Sequence, residues 1–319
     1  MVGVHKMVSS HSLILHHYLT SPCARIASTA LRLSRLDWLS VETQIVLPKP
    51  ALTALTGGYR AVPVLQVGAD IFCNSELVLR RIAVEPASSF TVQPEEDGLC
   101  WAFHHWVMTH WFPLTLKMVV GANAERVPES YRLDREAFFG FAFDVQSWRA
   151  NFDQLAFQWR VGAQWIEDRL QQAGAWLSGS RPGVMDASAF GMPWWILDAT
   201  PTLYGPLTAD FPKLRAWLSA MGALDGKAPI SLSAADAVAI AQEASLNATP
   251  PETGAEMAGI VAGDEIIAYR AETSSDAPDR VLGRFGGASP NCFWLERRDP
   301  KAGRVRVYFP RSAHLVKRL

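Results

Sequence analysis

The segment from Tyr59 to Ile82, YRAVPVLQVGADIFCNSELVLRRI, predicts a strand, a tight turn, a second strand and a helix. β-Branched and apolar residues fill both strands, Gly68 opens the turn, and Asn74 and Ser75 can cap the helix that follows. Pro63 begins an otherwise apolar strand, although proline cannot donate a hydrogen bond to the ladder. Such a proline often marks an edge, a bulge or a cis bond beside a ligand.

The residues before this segment complete a small α/β domain. Ser21 is suited to cap the first helix, and Pro22 follows at a position where its missing N–H costs nothing. The order of strand, helix, strand, loop, strand pair and helix is that of a thioredoxin-like domain, which we assign to residues 1–84. The predicted elements before Tyr59 are a strand at 12–18, a helix at 20–36, a strand at 37–46 and a short helix or loop at 48–56.

The segment from Tyr59 to Ile82 resembles the second half of the glutathione-binding domain of the glutathione transferases. That family has a Val-Pro-Val-Leu strand with a cis-proline, and an acidic residue with a serine opens the next helix. The resemblance implies that Val62 and Pro63 receive the cysteinyl part of glutathione and that Asn74 and Ser75 receive its γ-glutamyl end. Asn74 replaces the usual Asp or Glu. Since a neutral hydrogen bond is worth roughly half a charge-assisted one, we expect weaker glutathione binding.

Two side chains at the start of the first helix could take part in the chemistry. In theta- and zeta-like transferases a serine donates a hydrogen bond to the glutathione sulfur, and Ser21 matches that serine. The positive end of the helix would also favour the thiolate. Cys23 could be a nucleophile of low pKa or form a mixed disulfide with glutathione. The alternatives are that Ser21 is only a helix cap and that Cys23 is a small buried residue.

Other polar residues carry weaker expectations. Arg60 could anchor a carboxylate of glutathione or of the substrate, although an arginine at a strand edge is more often solvated or structural. His104, His105 and His110 do not form an i, i+4 pair on one helical face, so we predict no metal site there.

A second, all-helical domain is predicted for residues 99–226, after a linker at 85–98. Apolar residues recur there at three- and four-residue spacing, as in bundle helices. Its first helix, LCWAFHHWVMTHWF, is crowded with aromatic residues that could form an apolar wall of a substrate cleft or could simply pack in the core. Near residue 183 the sequence resembles the turn into the central helix of the transferase helical domain, but Gly183 stands where the family has a capping Ser or Thr.

The last part of the chain, residues 227–319, predicts a helix followed by four short strands. Three or more strands with an apolar face can be independently stable. We therefore expect a small all-β appendage, a barrel or curled sheet closed over the preceding helix. Typical glutathione transferases end before such a segment.

Composition limits the class of protein. With 30 basic and 31 acidic residues the chain has no electrostatic case for binding nucleic acid or an anionic membrane. Its four cysteines are scattered, which suits a reducing cytoplasm better than a disulfide scaffold. No apolar run is long enough for a transmembrane helix, and we see no signal peptide. We expect a cytoplasmic protein.

The sequence thus predicts an α+β multidomain glutathione transferase. Glutathione would be the co-substrate, an apolar or aromatic electrophile would occupy a cleft between the domains, and the resemblance implies a homodimer. The alternative is a non-catalytic scaffold that keeps the fold and uses the β appendage as an interaction module.

Overall fold

The N-terminal domain has the predicted thioredoxin-like order of elements. A computed structural model describes residues 11–92, 97–246 and 259–319 of the chain. The elements of this domain are β1 (Leu13–His17), α1 (Pro22–Ser34), β2 (Trp38–Glu42), α2 (Pro50–Thr56), β3 (Val64–Val67), β4 (Asp70–Cys73) and α3 (Ser75–Ala83).

Local sequence determines where α1 starts and how the strands turn. Ser21 is the N-cap of α1, and its Oγ accepts a hydrogen bond from the backbone N–H of Ala24 at 3.1 Å. Strand β1 pairs in parallel with β2 and antiparallel with β3, which forms a hairpin with β4. Gly68 supplies the positive φ of 61° that this turn requires.

The helical domain begins at Asp97, and the predicted linker lies partly at residues 93–96, outside the described residues. Among the described helices, none is long and apolar enough to cross a membrane. The elements of the domain are α4 (Asp97–Trp106), a π-helical turn (Val107–Trp111), α5 (Phe112–Ala122), a 3₁₀ turn (Ala124–Arg126), α6 (Glu129–Phe139), α7 (Val145–Ala150), α8 (Phe152–Ala173), α9 (Val184–Ala199), α10 (Pro201–Leu207) and α11 (Pro212–Ala223).

Helix α9 is the centre of this domain and the part that holds it against the first. The buried carboxylate of Asp186 accepts hydrogen bonds from the backbone N–H of Gly183 at 3.0 Å and from Nε1 of Trp217 at 2.8 Å. Gly191 lets α9 approach α1 closely, because a Cβ there would lie 2.5 Å from the Pro22 carbonyl oxygen. A Cβ at Gly183 would likewise lie 2.7 Å from a side-chain oxygen, so a glycine suits this cap position.

The C-terminal extension contains five strands after its helix, one more than predicted. Residues 247–258 lie outside the described residues. The elements of the extension are β5 (Ile230–Ser231), α12 (Ala234–Glu243), β6 (Glu265–Arg270), β7 (Val281–Ala288), β8 (Cys292–Asp299), β9 (Gly303–Pro310) and β10 (His314–Arg318).

The predicted all-β segment is present, but the expectation of a separate barrel needs a correction. Strand β9 pairs in parallel with β4, and β5 pairs in parallel with β2 at the other edge of the N-terminal sheet. One sheet of ten strands results, in the order β10-β6-β7-β8-β9-β4-β3-β1-β2-β5. Across the β4–β9 junction the rings of Phe72 and Tyr308 stack with centroids 4.5 Å apart. The extension therefore covers backbone edges of the first domain that would otherwise be unpaired.

The core beneath the new strands is shared with the first domain. A single apolar cluster contains Leu55 of α2, Ile71 of β4, Val238 of α12 and Leu295 of β8. Apolar burial of this kind is the main favourable term in folding. The extension and the thioredoxin-like domain consequently stabilise one another.

We predict that Leu295→Ala destabilises the whole chain and not the extension alone. Leu295 is fully buried in the shared cluster, so its truncation should lower the free energy of unfolding by about 2–5 kcal/mol. Leu315→Ala on β10 is the control, because that side chain is 47% exposed and should change little. Urea denaturation followed by circular dichroism and tryptophan fluorescence should give one shifted transition. A separate early transition of the β strands would contradict the shared core.

Candidate functional site

A cleft of about 950 Å³ lies between the N-terminal domain, the helical domain and the C-terminal extension. Every residue that the sequence singled out as a candidate lines this cleft. They come from the start of α1, the segment that precedes β3, and the start of α3. These residues are Ser21, Cys23, Arg60, Val62, Pro63, Asn74 and Ser75.

Ser21 is a buried hydroxyl at the positive end of α1. Its Oγ accepts the hydrogen bond from Ala24, which leaves the hydroxyl hydrogen available for a second group. Tyr18 also lines this part of the cleft, and burial raises the pKa of its phenol to about 12. Tyr18, which sequence analysis did not identify, is therefore a second protonated hydroxyl at this point of the cleft.

Cys23 does not have the chemistry of a low-pKa nucleophile. Burial raises the pKa of its thiol to about 12, and this outweighs the hydrogen bond from its own backbone N–H. Loss of hydration disfavours a thiolate more than the end of α1 favours it. The raised pKa argues against a low-pKa nucleophile at Cys23, whose half-buried side chain lines the cleft. None of the four cysteines forms a disulfide bond within the described residues.

The segment before β3 supplies backbone groups to the cleft. The peptide bond between Val62 and Pro63 is cis, the form that the resemblance implies. Strand β3 begins at Val64, so the polar backbone groups of Val62 lie outside its regular ladder. Backbone groups in such a position can pair with an extended peptide ligand.

Asn74 and Ser75 form the start of α3. Asn74 has a φ of 76°, which asparagine tolerates better than most residues, and its side-chain oxygen accepts a hydrogen bond from Glu76 N at 3.0 Å. Ser75 is buried, and its Oγ lies 3.1 Å from Nε2 of His104. The side chain of Asn74 is therefore committed in part to capping the helix, while its amide nitrogen is a donor.

His104 connects the two domains through two serines. Its Nδ1 lies 2.8 Å from Oγ of Ser188 on α9, while its Nε2 meets Ser75. Burial, with a smaller effect of the Arg80 charge, lowers the pKa of His104 to about 3. The imidazole is neutral at physiological pH. Sequence analysis considered His104 only as a metal ligand, and no three metal-binding side chains come together within the described ranges.

A cluster of buried cations lies beside the cis-proline. Arg60 forms an ion pair with Asp134 of α6, so it is neither a solvated strand-edge residue nor an anchor with both guanidinium arms available. Lys49 Nζ donates to the Arg60 carbonyl at 2.9 Å. Burial, together with the charges of Arg135 and Arg60, lowers the pKa of Lys49 to about 8. An ammonium has three donors, so Lys49 can still donate to a ligand.

The apolar wall differs from the predicted one. Met108, within the π-helical turn, and Phe112, directly after it, line the cleft. Trp106 and Trp111 instead stack on each other with ring centroids 5.7 Å apart, in the core of the helical domain. Aromatic residues at the end of α6 and after it complete the wall, among them Phe138.

The extension forms a third wall that sequence analysis did not anticipate. Ser312 donates a hydrogen bond to Glu76, directly after the candidate residues of α3. Arg270 pairs with Asp279 at 3.0 Å and also donates to the carbonyl of Phe138. His314 is buried in the same cleft at the start of β10.

The fold and the order of domains match one protein family. The family model for the glutathione S-transferase N-terminal domain matches residues 15–89, and the one for the C-terminal domain matches residues 162–220. The chain belongs to the glutathione S-transferase superfamily. The match to this family supports a function of the glutathione-transferase type in general. It also implies glutathione binding in the N-terminal domain.

Several solved structures are similar to this chain to different extents. A GST-like protein from Pseudomonas syringae is 29% identical, with a TM-score of 0.77, and the match covers 97% of this chain and 100% of that one. FzlA from C. crescentus is 20% identical over 66% of this chain and 88% of its own, with a TM-score of 0.50. A tau class glutathione S-transferase from mango, Mangifera indica, is 18% identical over 67% and 90%, with a TM-score of 0.49. No curated protein matches the chain significantly.

We predict that His104 makes the stability of the protein depend on pH. Its pKa is about 3 in the folded state and about 6.5 when unfolded, so the unfolded chain gains a proton first as the pH falls. The contribution of His104 to the free energy of unfolding is therefore fully present above the unfolded-state pKa of about 6.5, and it declines progressively as the pH falls below that value. Between pH 7.5 and 5.0 the wild type should lose about 2 kcal/mol more than His104→Gln.

Urea denaturation at the two pH values measures this difference. His110→Gln serves as the control, because His110 is exposed and should leave the pH profile of the wild type unchanged. Parallel profiles of the wild type and His104→Gln would show that His104 does not carry the effect.

Proposed function

We propose that the chain is a glutathione transferase of the serine type, similar to the theta and zeta classes. Glutathione binds along the N-terminal wall of the cleft, and its thiolate attacks an apolar or aromatic electrophile held by the other walls. The observation that carries this proposal is the convergence of Ser21, the cis bond at Pro63, and Asn74 with Ser75 on one cleft.

Ser21 is the group proposed to stabilise the thiolate. Its lone pair is engaged by the backbone of α1, so the hydroxyl is oriented and its hydrogen can point to the glutathione sulfur. The N-terminal end of α1 adds positive potential at the same point. Cys23, whose raised pKa keeps it protonated, leaves this role to the hydroxyl groups.

The two ends of glutathione would be bound by different groups, the γ-glutamyl end by the start of α3 and the glycyl carboxylate by a lysine. Asn74 and Ser75 at the start of α3 suit the γ-glutamyl end, with a carboxylate near the positive end of that helix. Lys49 suits the glycyl carboxylate, because it is a buried cation with donors to spare beside the cis-proline. Arg60 supports this wall through its ion pair with Asp134.

The remaining walls suit an apolar electrophile. Met108, Phe112 and Phe138 line them. The proposed reaction is conjugation, or isomerisation that depends on the glutathione thiol. A homodimer and a cytoplasmic location belong to the same proposal, the first by resemblance and the second because the scattered cysteines form no disulfide bond within the described residues.

One observation favours the alternative, a non-catalytic scaffold. Asn74 lacks the negative charge that the family usually presents to the γ-glutamyl amine, and its oxygen is occupied by the helix cap. The glycine at the start of α9 gives this alternative no support, since Asp186 still bonds to the backbone of Gly183.

We expect glutathione to bind the wild type with saturation, and Asn74→Asp to bind it about five to ten times more tightly. Aspartate keeps the helix cap and tolerates positive φ, and it adds a charge-assisted hydrogen bond to the amine of glutathione. Titration calorimetry measures both affinities. Asn291→Asp is the control, since Asn291 is exposed and outside the cleft. Absence of binding by both proteins would favour the scaffold.

Ser21→Ala should lower the turnover of bound glutathione about 10- to 100-fold near neutral pH. The variant loses a charge-assisted hydrogen bond to the thiolate, and the pKa of the bound thiol should rise accordingly. The lost cap should also cost about 1 kcal/mol of stability, which circular dichroism can check. Ultraviolet absorbance of the thiolate across a pH series gives the thiol pKa. Cys23→Ala should keep the wild-type value.

The companion variant Tyr18→Phe distinguishes the two hydroxyl groups. If Ser21→Ala keeps full activity while Tyr18→Phe loses it, Tyr18 and not Ser21 stabilises the thiolate.

A further inference from the structure

His314 is a buried polar side chain without a hydrogen-bond partner of acceptable geometry among the described residues. It is 4% exposed, it lines the cleft, and both ring nitrogens lack such a partner. Burial, with the nearby charge of Arg270, lowers its pKa to about 3, against a small opposite effect of the Pro310 backbone. A buried polar group usually finds a partner, because leaving it unpaired after removal from water is unfavourable. His314 is therefore a position where a ligand can supply the missing bond.

A second unpaired donor lies in the same part of the cleft. The Nε of Arg60 is buried and has no hydrogen-bond partner in the part of the chain that the structure describes, although another nitrogen of the same guanidinium pairs with Asp134. Arg60 directly follows Tyr59, whose ring lies 5.7 Å from the His314 ring. His314 thus packs against the residue that precedes Arg60, and both His314 and Arg60 line the cleft.

Near His314 and Arg60 the cleft combines an aromatic surface with an excess of positive charge. The guanidinium groups of Arg60 and Arg270 lie 5.5 and 4.0 Å from the centroid of the Phe138 ring. Each arginine has one carboxylate partner, Asp134 and Asp279 respectively. Asp134 also pairs with a third arginine, Arg135, and so positive charge exceeds negative charge here.

We propose that His314, Arg60 and Arg270 form a carboxylate subsite, in which the C-terminal extension recognises an anionic group on the electrophilic substrate. The proposal rests on the proposed function in that it concerns the second substrate of the same cleft. It adds that this substrate has an apolar body, held along Phe112 and Phe138, and a carboxylate at its far end.

A carboxylate fits these groups better than other polar ligands. It is an acceptor with two oxygens, and the imidazole N–H and the Arg60 Nε–H are two single donors. One negative charge would offset the surplus positive charge that the buried arginines leave. A neutral amide also accepts hydrogen bonds but brings no charge, and a charge-assisted bond is about twice as strong as a neutral one.

His314 is the residue to test because its removal leaves no buried partner unpaired. Substitution of Arg60 or Arg270 would instead break a buried ion pair, with Asp134 or with Asp279 respectively. The experiment is titration calorimetry of the full-length chain, without glutathione, with 4-phenylbutanoate and with 4-phenylbutanamide. The two compounds share an apolar body and differ in the charge of the end group.

We expect the wild type to bind 4-phenylbutanoate at least about tenfold more tightly than the amide. This preference should fall to about threefold or less in His314→Ala and recover in part in His314→Gln, which restores a donor. His110→Ala, a substitution of an exposed histidine outside the cleft, should keep the wild-type preference. Circular dichroism confirms that each variant is folded, and a misfolded His314→Ala leaves the decision to His314→Gln, whose preference should lie below that of the wild type.

Equal affinity for the acid and the amide, no saturable binding of the acid, or an unchanged preference in the folded His314 variants would each overturn the proposal. A parallel glutathione titration separates this result from the proposed function. Acid preference without glutathione binding would leave the subsite standing and remove the transferase assignment. Glutathione binding without acid preference would do the reverse.

Discussion

The parallel pairing of β9 with β4 is the constraint on which the cleft depends. Strand β4 ends immediately before Asn74, so whatever pairs with its edge is brought to the start of α3. The chain after β9 turns back at Ser312, which donates to Glu76, and enters β10 at His314. Because the apolar cluster under β8 and β9 also contains α2 and β4, this junction is held by a shared core and not only by ladder hydrogen bonds. The third wall of the cleft is thus a consequence of how one sheet edge is covered.

Burial controls the chemistry of the cleft. The same loss of hydration raises the pKa of Cys23 to about 12 and lowers those of Lys49 to about 8 and His104 to about 3. The Cys23 thiol and the His104 imidazole therefore stay neutral at neutral pH. Because the pKa of Lys49 is about 8, most Lys49 side chains are charged at neutral pH, and this charged fraction falls as the pH rises towards 8. The hydroxyls of Ser21 and Tyr18 remain protonated, and so they are the donors that can stabilise a thiolate in the cleft.

The sequence predicted the elements and residues whose signals are local. The N-cap at Ser21 followed by Pro22 and the strand pair around Gly68 can be recognised within a few residues, because capping and turn chemistry act at that range. Pairings between distant parts of the chain could not be predicted in this way. Alternating apolar residues identify the buried face of β9 but not its neighbour β4, and nothing near Arg60 indicates a partner 74 residues away. His104 and His314 were missed as cleft residues for the same reason, since each acquires its environment from other elements.

The identity of residue 74 and the presence of the extension are connected by electrostatics. Neither the backbone nor the cap requires asparagine over aspartate, because aspartate also tolerates a φ of 76° and caps helices equally well. The charge is what differs. Glu76 already places a carboxylate two residues later, and Arg80 and Ser312 both bond to it. A second carboxylate at residue 74 would repel the first in a partly buried setting. With the extension holding Glu76 through Ser312, a neutral Asn74 relieves that repulsion at the expense of a weaker contact to an ammonium group of the ligand.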